Sequence, residues 1–136
     1  MIYVTRRERF SAAHRMFRDD WSDQENYDVF GKCSNRNWHG HNYEMFVTVS
    51  GEIDRERGFV MNLNDLKEII KDHIINKIDH MNLNLEVDFM KGKIATTENL
   101  VVAIWNVLAP LIAAKGAKLH CVKIAETENN FVEYYG

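Results

Sequence analysis

Three histidines have the residue type and spacing of metal ligands. His39 and His41 are separated only by Gly40, and alternate residues of a β-strand project from the same face. His14 stands at the end of the first predicted strand, so antiparallel pairing of the two strands brings it to the same end of the sheet. Three neutral imidazoles with a fourth position left open are typical of a catalytic zinc site. An isolated histidine near a loop is more often solvated and inert, but no His-Glu-x-x-His or paired Cys-x-x-Cys pattern competes here.

The two cysteines have different surroundings in the sequence. Cys33 lies in a long polar segment next to Lys32 and shortly before the His39/His41 pair. A thiol beside a basic side chain and a metal ionises readily, which a proton carrier needs, although a free cysteine is more often a small buried apolar residue. Cys121 lies in a strand-like run, where the structural interpretation is preferred.

Two carboxylates add to this candidate chemistry. Asp79 precedes His80 directly after the first predicted helix, and a carboxylate can orient and polarise an imidazole for proton transfer. The alternative for His80 is a helix C-terminal histidine favoured by the helix dipole. Glu126 ends the penultimate predicted strand, where it could accept two parallel N–H bonds from a guanidine-like edge or simply be an exposed strand residue.

The elements that must position these residues follow from the apolar periodicity. Alternating residues predict strands over 2–13, 41–50, 118–127 and 130–135, whereas residues 15–38 predict a long loop and residues 79–95 an irregular segment. Apolar residues at helical spacing predict one helix that starts at 62–65 and runs to Ile78, and another that starts at 96–99 and runs to Leu111. The order β-β-α-α-β-β predicts an α+β fold with an antiparallel sheet and both helices on one face.

Composition excludes several classes of protein. The chain has 136 residues, 46% hydrophobic and 27% charged, which fits a single globular domain over residues 1–136. A net charge of −3 argues against nucleic-acid and membrane-surface partners, and no apolar run approaches the roughly 20 residues of a membrane span. The first residues lack the apolar stretch of a secretory signal, and two cysteines are too few for a disulfide framework. We therefore expect a cytoplasmic protein.

The motifs together resemble the 6-pyruvoyl-tetrahydropterin synthase family. The matching segments are 10–15 with His14, Cys33 with 39–43, Asp79-His80, 96–99 and Glu126-Thr127. They arrive in the family's order and cover nearly the whole chain, so as a set they are far more specific than any one of them.

The resemblance implies a fold and an assembly. The family has the tunnelling fold, a ββααββ unit whose subunits form trimeric antiparallel β-barrels with the helices outside. Two trimers stack into a homo-hexamer with active sites at subunit interfaces. Such an assembly would also cover the sheet edges that a lone subunit leaves unpaired.

The resemblance also implies an activity and residue roles. The family converts 7,8-dihydroneopterin triphosphate to 6-pyruvoyl-tetrahydropterin and inorganic triphosphate, as a lyase of tetrahydrobiopterin biosynthesis. Zn²⁺ would be bound by His14, His39 and His41. Cys33, Asp79 and His80 would transfer protons, partly across a subunit interface, and Glu126 would anchor the pterin. Thr96, Thr97 and Glu98 would lie near that pocket.

Two other functions remain open at this point. The first is 6-carboxytetrahydropterin synthase of queuosine biosynthesis, which shares the fold, zinc site and substrate; the spacing from Cys33 to His39 looks more like the pyruvoyl branch. The second is a non-catalytic zinc- or pterin-binding module, which the presence of Cys33, Asp79 and His80 disfavours. The sequence does not identify the residues that hold the triphosphate, for which Arg15 and Lys32 are candidates by position only.

Overall fold

A computed structural model describes all residues, Met1–Gly136, and contains one five-stranded sheet. The strands are β1 (Ile2–His14), β2 (His39–Gly51), β3 (Met81–Asn82), β4 (Lys118–Ala125) and β5 (Phe131–Tyr134), in the spatial order β3-β1-β2-β4-β5. β1, β2, β4 and β5 pair antiparallel to their neighbours, while the short β3 pairs parallel to the outer edge of β1. The predicted α+β class is therefore confirmed, with a fifth strand that the alternation pattern does not reveal.

The helices are α1 (Asp23–Phe30), α2 (Leu63–Ile70), α3 (Asn76–Ile78) and α4 (Thr97–Ala113). A wider π-turn, Lys71–Ile75, joins α2 to α3, so the first predicted helix is one continuous but irregular segment. Short 3₁₀ turns cover Gly31–Ser34 and Asp88–Met90. None of these helices has the length and apolar character that a membrane span requires.

The prediction that residues 15–38 form a loop is wrong for about half of that segment. The side chain of Ser22 accepts from the backbone N–H of Glu25, and the Glu25 side chain accepts from the N–H of Ser22, which makes a capping box that starts α1. The helix is short and mostly polar, so it has no apolar stripe for periodicity to detect.

The core lies between one face of the sheet and the long helical segments. Tyr43, Met45, Val47 and Val49 alternate along β2 and are all buried, and α4 packs over β4 and β5. The opposite face of the sheet carries polar side chains together with aromatic ones such as Tyr3 and Phe46. Both helical segments therefore lie on one face, which leaves the other without intrachain cover.

A β-bulge between β2 and β4 lies next to Cys121, the cysteine interpreted as structural. The register shifts between Thr48 and Val49, so His120 is the extra residue of β4. The His120 ring packs on Tyr3 with centroids 4.5 Å apart, and the Cys121 thiol is buried beside it.

Candidate metal centre and active site

The pairing of β1 with β2 brings the three histidines together. The register places His14 directly opposite His39 and Ala12 opposite His41, so all three imidazoles lie on the helix-covered face at one end of the sheet. One ligand nitrogen from each ring lies within 4.8 Å of those from the other two. Gly40 allows this approach, because a Cβ there would lie 3.2 Å from the Ala12 carbonyl oxygen.

The free nitrogens of this cluster have the character of metal ligands. His14 is 1% exposed, and its Nδ1 lies 2.7 Å from the Ala95 carbonyl oxygen. This contact fixes the proton on Nδ1 and leaves the lone pair of Nε2 free to bind a metal. Nε2 of His41 and both ring nitrogens of His39 are likewise buried without a hydrogen-bond partner. Burial lowers the pKa of all three histidines, so they are neutral imidazoles at pH 7. Orphaned buried nitrogens that converge in this way fit a bound divalent metal ion.

Glu126 lies beside the histidine cluster, directly after the end of β4. Its Oε2 accepts a hydrogen bond of 2.5 Å from the Thr97 hydroxyl, and its Oε1 lies 3.4 Å from Nε2 of His41. Glu126 and Thr97 line a cavity of about 370 Å³ together with Met16, Glu98, Asn130, Phe131 and Val132. The structure thus brings three of the four predicted pterin residues together. The fourth, Thr96, is not among the lining residues, and its hydroxyl caps α4 by accepting from the Asn99 N–H.

Cys33 lies close to the segment that follows His14. It belongs to the 3₁₀ turn after α1, and its carbonyl oxygen accepts from the backbone N–H of Met16, which holds this turn against the segment that follows β1. The side chain is partly exposed. Burial raises the pKa of the Tyr43 hydroxyl, with smaller contributions from Glu126 and Cys33.

Asp79 and His80 form a rigid pair at the open edge of β1. Asp79 Oδ1 accepts from the Ser11 N–H at 2.9 Å, and Asp79 Oδ2 lies 3.0 Å from Nδ1 of His80. The His80 N–H donates to the Ser11 carbonyl at 2.6 Å, and the residue has a left-handed backbone with φ of 62°. The Ser11 amide, together with His80, lowers the pKa of Asp79, so this carboxylate is charged at neutral pH.

The structure does not bring this pair to Cys33 within one chain. The His80 side chain is 82% exposed, and no hydrogen bond or ion pair joins Cys33 to His80 or Asp79. His80 instead borders an open groove of about 470 Å³ along the ends of β1, β2 and β3, which His41 also lines. Within one chain, no contact therefore joins Cys33 to the Asp79–His80 pair.

Sequence reasoning missed several contributors to the site. Trp38, immediately before His39, has a positive φ of 64°, and the only other non-glycine residue with this conformation is His80. Strained backbone of this kind often occurs at functional sites, but no sequence pattern predicts it. Tyr43, in contrast, could have been found, because it lies two residues beyond His41 on the same strand face.

Comparison with known proteins identifies the family. The sequence model of the family described as 6-pyruvoyl tetrahydropterin synthase matches residues 3–136. The chain belongs to this family. This match confirms the resemblance that the motifs indicated, and the family is one of enzymes.

Individual members of the 6-pyruvoyl tetrahydropterin synthase family are similar over almost their full length. The human 6-pyruvoyl tetrahydrobiopterin synthase is 47% identical over 133 residues, which is 98% of this chain and 90% of the human protein. The structure of the Caenorhabditis elegans 6-pyruvoyl tetrahydropterin synthase has a TM-score of 0.92 at 37% identity, covering 99% of this chain and 95% of that one. A 6-carboxy-5,6,7,8-tetrahydropterin synthase of Haemophilus influenzae is 33% identical over 69 residues, only 48% of each chain.

Proposed function

We propose that this protein converts 7,8-dihydroneopterin triphosphate to 6-pyruvoyl-5,6,7,8-tetrahydropterin, with elimination of inorganic triphosphate. The observation that carries the proposal is the position of three histidines with unpaired ring nitrogens beside a cavity lined by Glu126 and Thr97. The arrangement provides a metal centre next to a carboxylate that can hold a polar ring. The 47% identity to a protein named for the pyruvoyl product, against 25% to a full-length relative named for the carboxy product, favours this reaction.

His14, His39 and His41 would hold the metal, which we propose to be zinc. Three neutral imidazoles are a usual ligand set for catalytic zinc, and no thiolate or carboxylate completes a closed site. Bound zinc supplies Lewis-acid polarisation of the substrate's side-chain hydroxyls. The Ala95 carbonyl fixes the tautomer of His14, so this ligand needs no rearrangement before it binds.

The carboxylate of Glu126 would anchor the pterin ring. An amino-pyrimidinone edge offers two parallel N–H donors, which match the two oxygens of a carboxylate. The hydroxyl of Thr97 fixes the orientation of this carboxylate from α4. We also propose that Thr96 and Glu98 belong to the pterin region. Glu98 lines the cavity, and the Thr96 side chain caps the N-terminus of α4.

Glu126→Gln should weaken pterin binding by about 10²-fold, because it removes a charged acceptor of two hydrogen bonds. The metal content should stay unchanged, since Glu126 is not part of the histidine cluster. Calorimetric titration with a reduced pterin and metal analysis of the same samples measure the two quantities. Glu128→Gln is the matched control, because Glu128 is exposed at the turn of the same hairpin. Unchanged pterin affinity in Glu126→Gln would remove the proposed anchor.

Cys33, Asp79 and His80 would move the protons of the reaction. The redox change is internal to the substrate: side-chain carbons lose the electrons that reduce the ring, so no external hydride donor is needed. This requires proton removal from carbon and proton delivery to the ring, while triphosphate leaves with the electrons of the broken C–O bond. A thiolate can remove the proton, and the Asp79 carboxylate holds His80 in position for proton exchange.

Cys33 and the Asp79–His80 pair would be brought together by assembly into trimers and then hexamers. The outer edge of β5, on the side away from β4, has no strand partner within the chain. Most of the outer edge of β1 is also unpaired, since β3 covers only Ala12 and Ala13. Pairing of these edges between subunits would close antiparallel barrels. His80, exposed at the β1 edge, would then reach the Cys33 side of a neighbouring subunit. We propose homo-hexamers with active sites at these interfaces, and a single catalytic domain over residues 1–136.

Mixing two inactive variants tests this shared site. Cys33→Ala removes one half of the proposed site, and His80→Ala removes the other. If the two halves come from different subunits, random co-assembly of equal amounts leaves about a quarter of the sites with both side chains, so about a quarter of wild-type activity should return. The variants are refolded or co-expressed together and assayed against each variant alone. A mixture that is no more active than its components, in oligomers shown by mass to be mixed, would place both halves in one chain.

The proposed location is the cytoplasm. Cys33 and Cys121 are both free thiols, and reduced cysteines are usual in that compartment.

A further inference from the structure

The 3₁₀ turn that carries Cys33 is closed by its own hydrogen bonds. The Ser34 hydroxyl donates to the Gly31 carbonyl oxygen at 2.7 Å, and the Asn35 N–H donates to the Lys32 carbonyl oxygen at 3.1 Å. Ser34 is also buried, with 7% of its surface exposed. The position of the Cys33 thiol therefore depends on what attaches this turn to the rest of the chain.

Two hydrogen bonds attach the turn to the segment that follows His14. The backbone N–H of Met16 donates to the Cys33 carbonyl oxygen at 2.9 Å, and Nε of Arg15 donates to the Ser34 carbonyl oxygen at 2.7 Å. The second bond has a charged donor, and such bonds are roughly twice as strong as neutral ones. The Arg15 side chain therefore supplies the stronger attachment.

Arg15 is itself held in place by its side chain and by its backbone. The guanidinium carbon lies 4.0 Å from the centroid of the Phe17 ring, which is a cation–π contact. The side-chain amide of Asn84 accepts from the Arg15 N–H at 2.9 Å and donates to the Arg15 carbonyl oxygen at 2.8 Å. Asn84 thus pairs with Arg15 as a neighbouring strand residue would, beyond the end of the ladder between β1 and β3. The guanidinium is therefore aimed at the turn from a fixed base.

A triphosphate clamp is the competing role for Arg15, and the structure disfavours it. Arg15 lines a cavity of about 410 Å³ that shares no lining residue with the cavity at Glu126. The other arginine of this cavity, Arg36, is already paired with Asp23 at 2.8 Å. One arginine beside a carboxylate is a poor match for a ligand that carries several negative charges.

We propose that Arg15 is a positioning residue, which holds the Cys33 turn, and with it the thiol, against the end of β1. It acts through the Ser34 carbonyl and needs no contact with the substrate. Without the Nε donor the turn keeps the bond from Met16 but loses the stronger attachment, so the thiol spends less time in reach of the substrate side chain. This inference rests on the proposed role of Cys33 as the proton carrier.

Arg15→Lys and Arg15→Met separate the hydrogen bond from the charge. Lysine has a methylene group at the position of Nε, so Arg15→Lys keeps the positive charge without this donor, whereas Arg15→Met removes both. We expect each variant to lower kcat by about tenfold, the usual effect of losing a hydrogen bond with a charged partner. KM and inhibition by inorganic triphosphate should stay within about twofold of the wild type, because no substrate contact is lost.

Hydrogen exchange reports on the turn without the need for turnover. Peptides that cover residues 31–38 should exchange about tenfold faster in both variants, because the same bond limits local opening. In the Cys33→Ala background, Arg15→Lys should have no further effect on turnover, whereas an arginine with a general structural role would lower it again.

Arg18→Lys is the matched control. Arg18 lies in the same segment, with its guanidinium carbon 5.1 Å from the Trp21 ring centroid and its charge paired with Asp20, and its side chain has no hydrogen bond to the Cys33 turn. Its kcat and its exchange at residues 31–38 should equal those of the wild type.

Wild-type exchange at residues 31–38 in folded Arg15→Lys would overturn the proposal, as would loss of the fold in both Arg15 variants. Weaker inhibition by triphosphate in Arg15→Met, restored in Arg15→Lys, would overturn it in favour of a triphosphate clamp. Faster exchange in the Arg15 variants of a protein whose wild type does not turn over dihydroneopterin triphosphate would overturn the proposed function but leave this attachment of the turn intact.

Discussion

Cys33→Ala is expected to lower kcat by about 10²–10⁴-fold, the usual contribution of a positioned acid or base. The zinc content and the affinity for a pterin should change little, because Cys33 belongs neither to the histidine cluster nor to the cavity lined by Glu126. The thiol lies in the 3₁₀ turn that packs against the segment after β1, so it can approach a substrate side chain without being a metal ligand. Steady-state kinetics with metal analysis of each preparation measure these effects.

Cys121→Ala is the matched control for the thiol. Cys121 is buried on the opposite face of the sheet, and burial raises its pKa, so it remains a protonated thiol at neutral pH. We expect near-normal turnover in this variant. Wild-type turnover in Cys33→Ala would make its thiol structural, and His80 would then become the leading candidate for the base.

His39→Ala should lose bound metal and activity together. Removing one of three ligands should weaken zinc binding by more than about 100-fold, since loss of a mere orienting partner already costs up to that factor. The fold should persist, because His39 lies at the start of β2 and is not part of the buried apolar core. Elemental analysis, circular dichroism and activity measured on one preparation separate these effects.

His73→Ala is the control for the general effect of removing an imidazole. His73 lies in the π-turn between α2 and α3 and is not one of the three clustered histidines. Wild-type protein should carry about one zinc per chain, as expected for a single three-histidine site. Stoichiometric zinc and normal turnover in His39→Ala would show that His39 is not a ligand.

Local patterns in the sequence predict most of the fold. Alternation in β2 assigns Tyr43, Met45, Val47 and Val49 to the core, and all four are buried. α1 was not predicted, because a short polar helix has no apolar stripe. Its capping box, Ser22 with Glu25, is nevertheless visible in the sequence. β3 was not predicted either, because a strand of two residues is too short to show an alternation of apolar and polar side chains.

The candidate site is predictable only where strand geometry dictates it. Antiparallel pairing of β1 with β2 is enough to place His14 beside His39 and His41, and the structure has that register. The bond from His14 to Ala95 joins residues 81 positions apart and depends on the packing of the loop before α4. The contact between Asp79 and His80 is equally hard to predict, because it requires the left-handed backbone of His80.

The products formed from 7,8-dihydroneopterin triphosphate by the zinc-loaded protein decide between the candidate functions. We expect 6-pyruvoyl-tetrahydropterin and inorganic triphosphate in equal amounts, with no requirement for a nicotinamide cofactor. Carboxytetrahydropterin and acetaldehyde as the main products would contradict the proposed reaction in favour of the carboxy branch. Tight binding of the pterin without any turnover would contradict catalysis itself and leave a zinc- and pterin-binding protein.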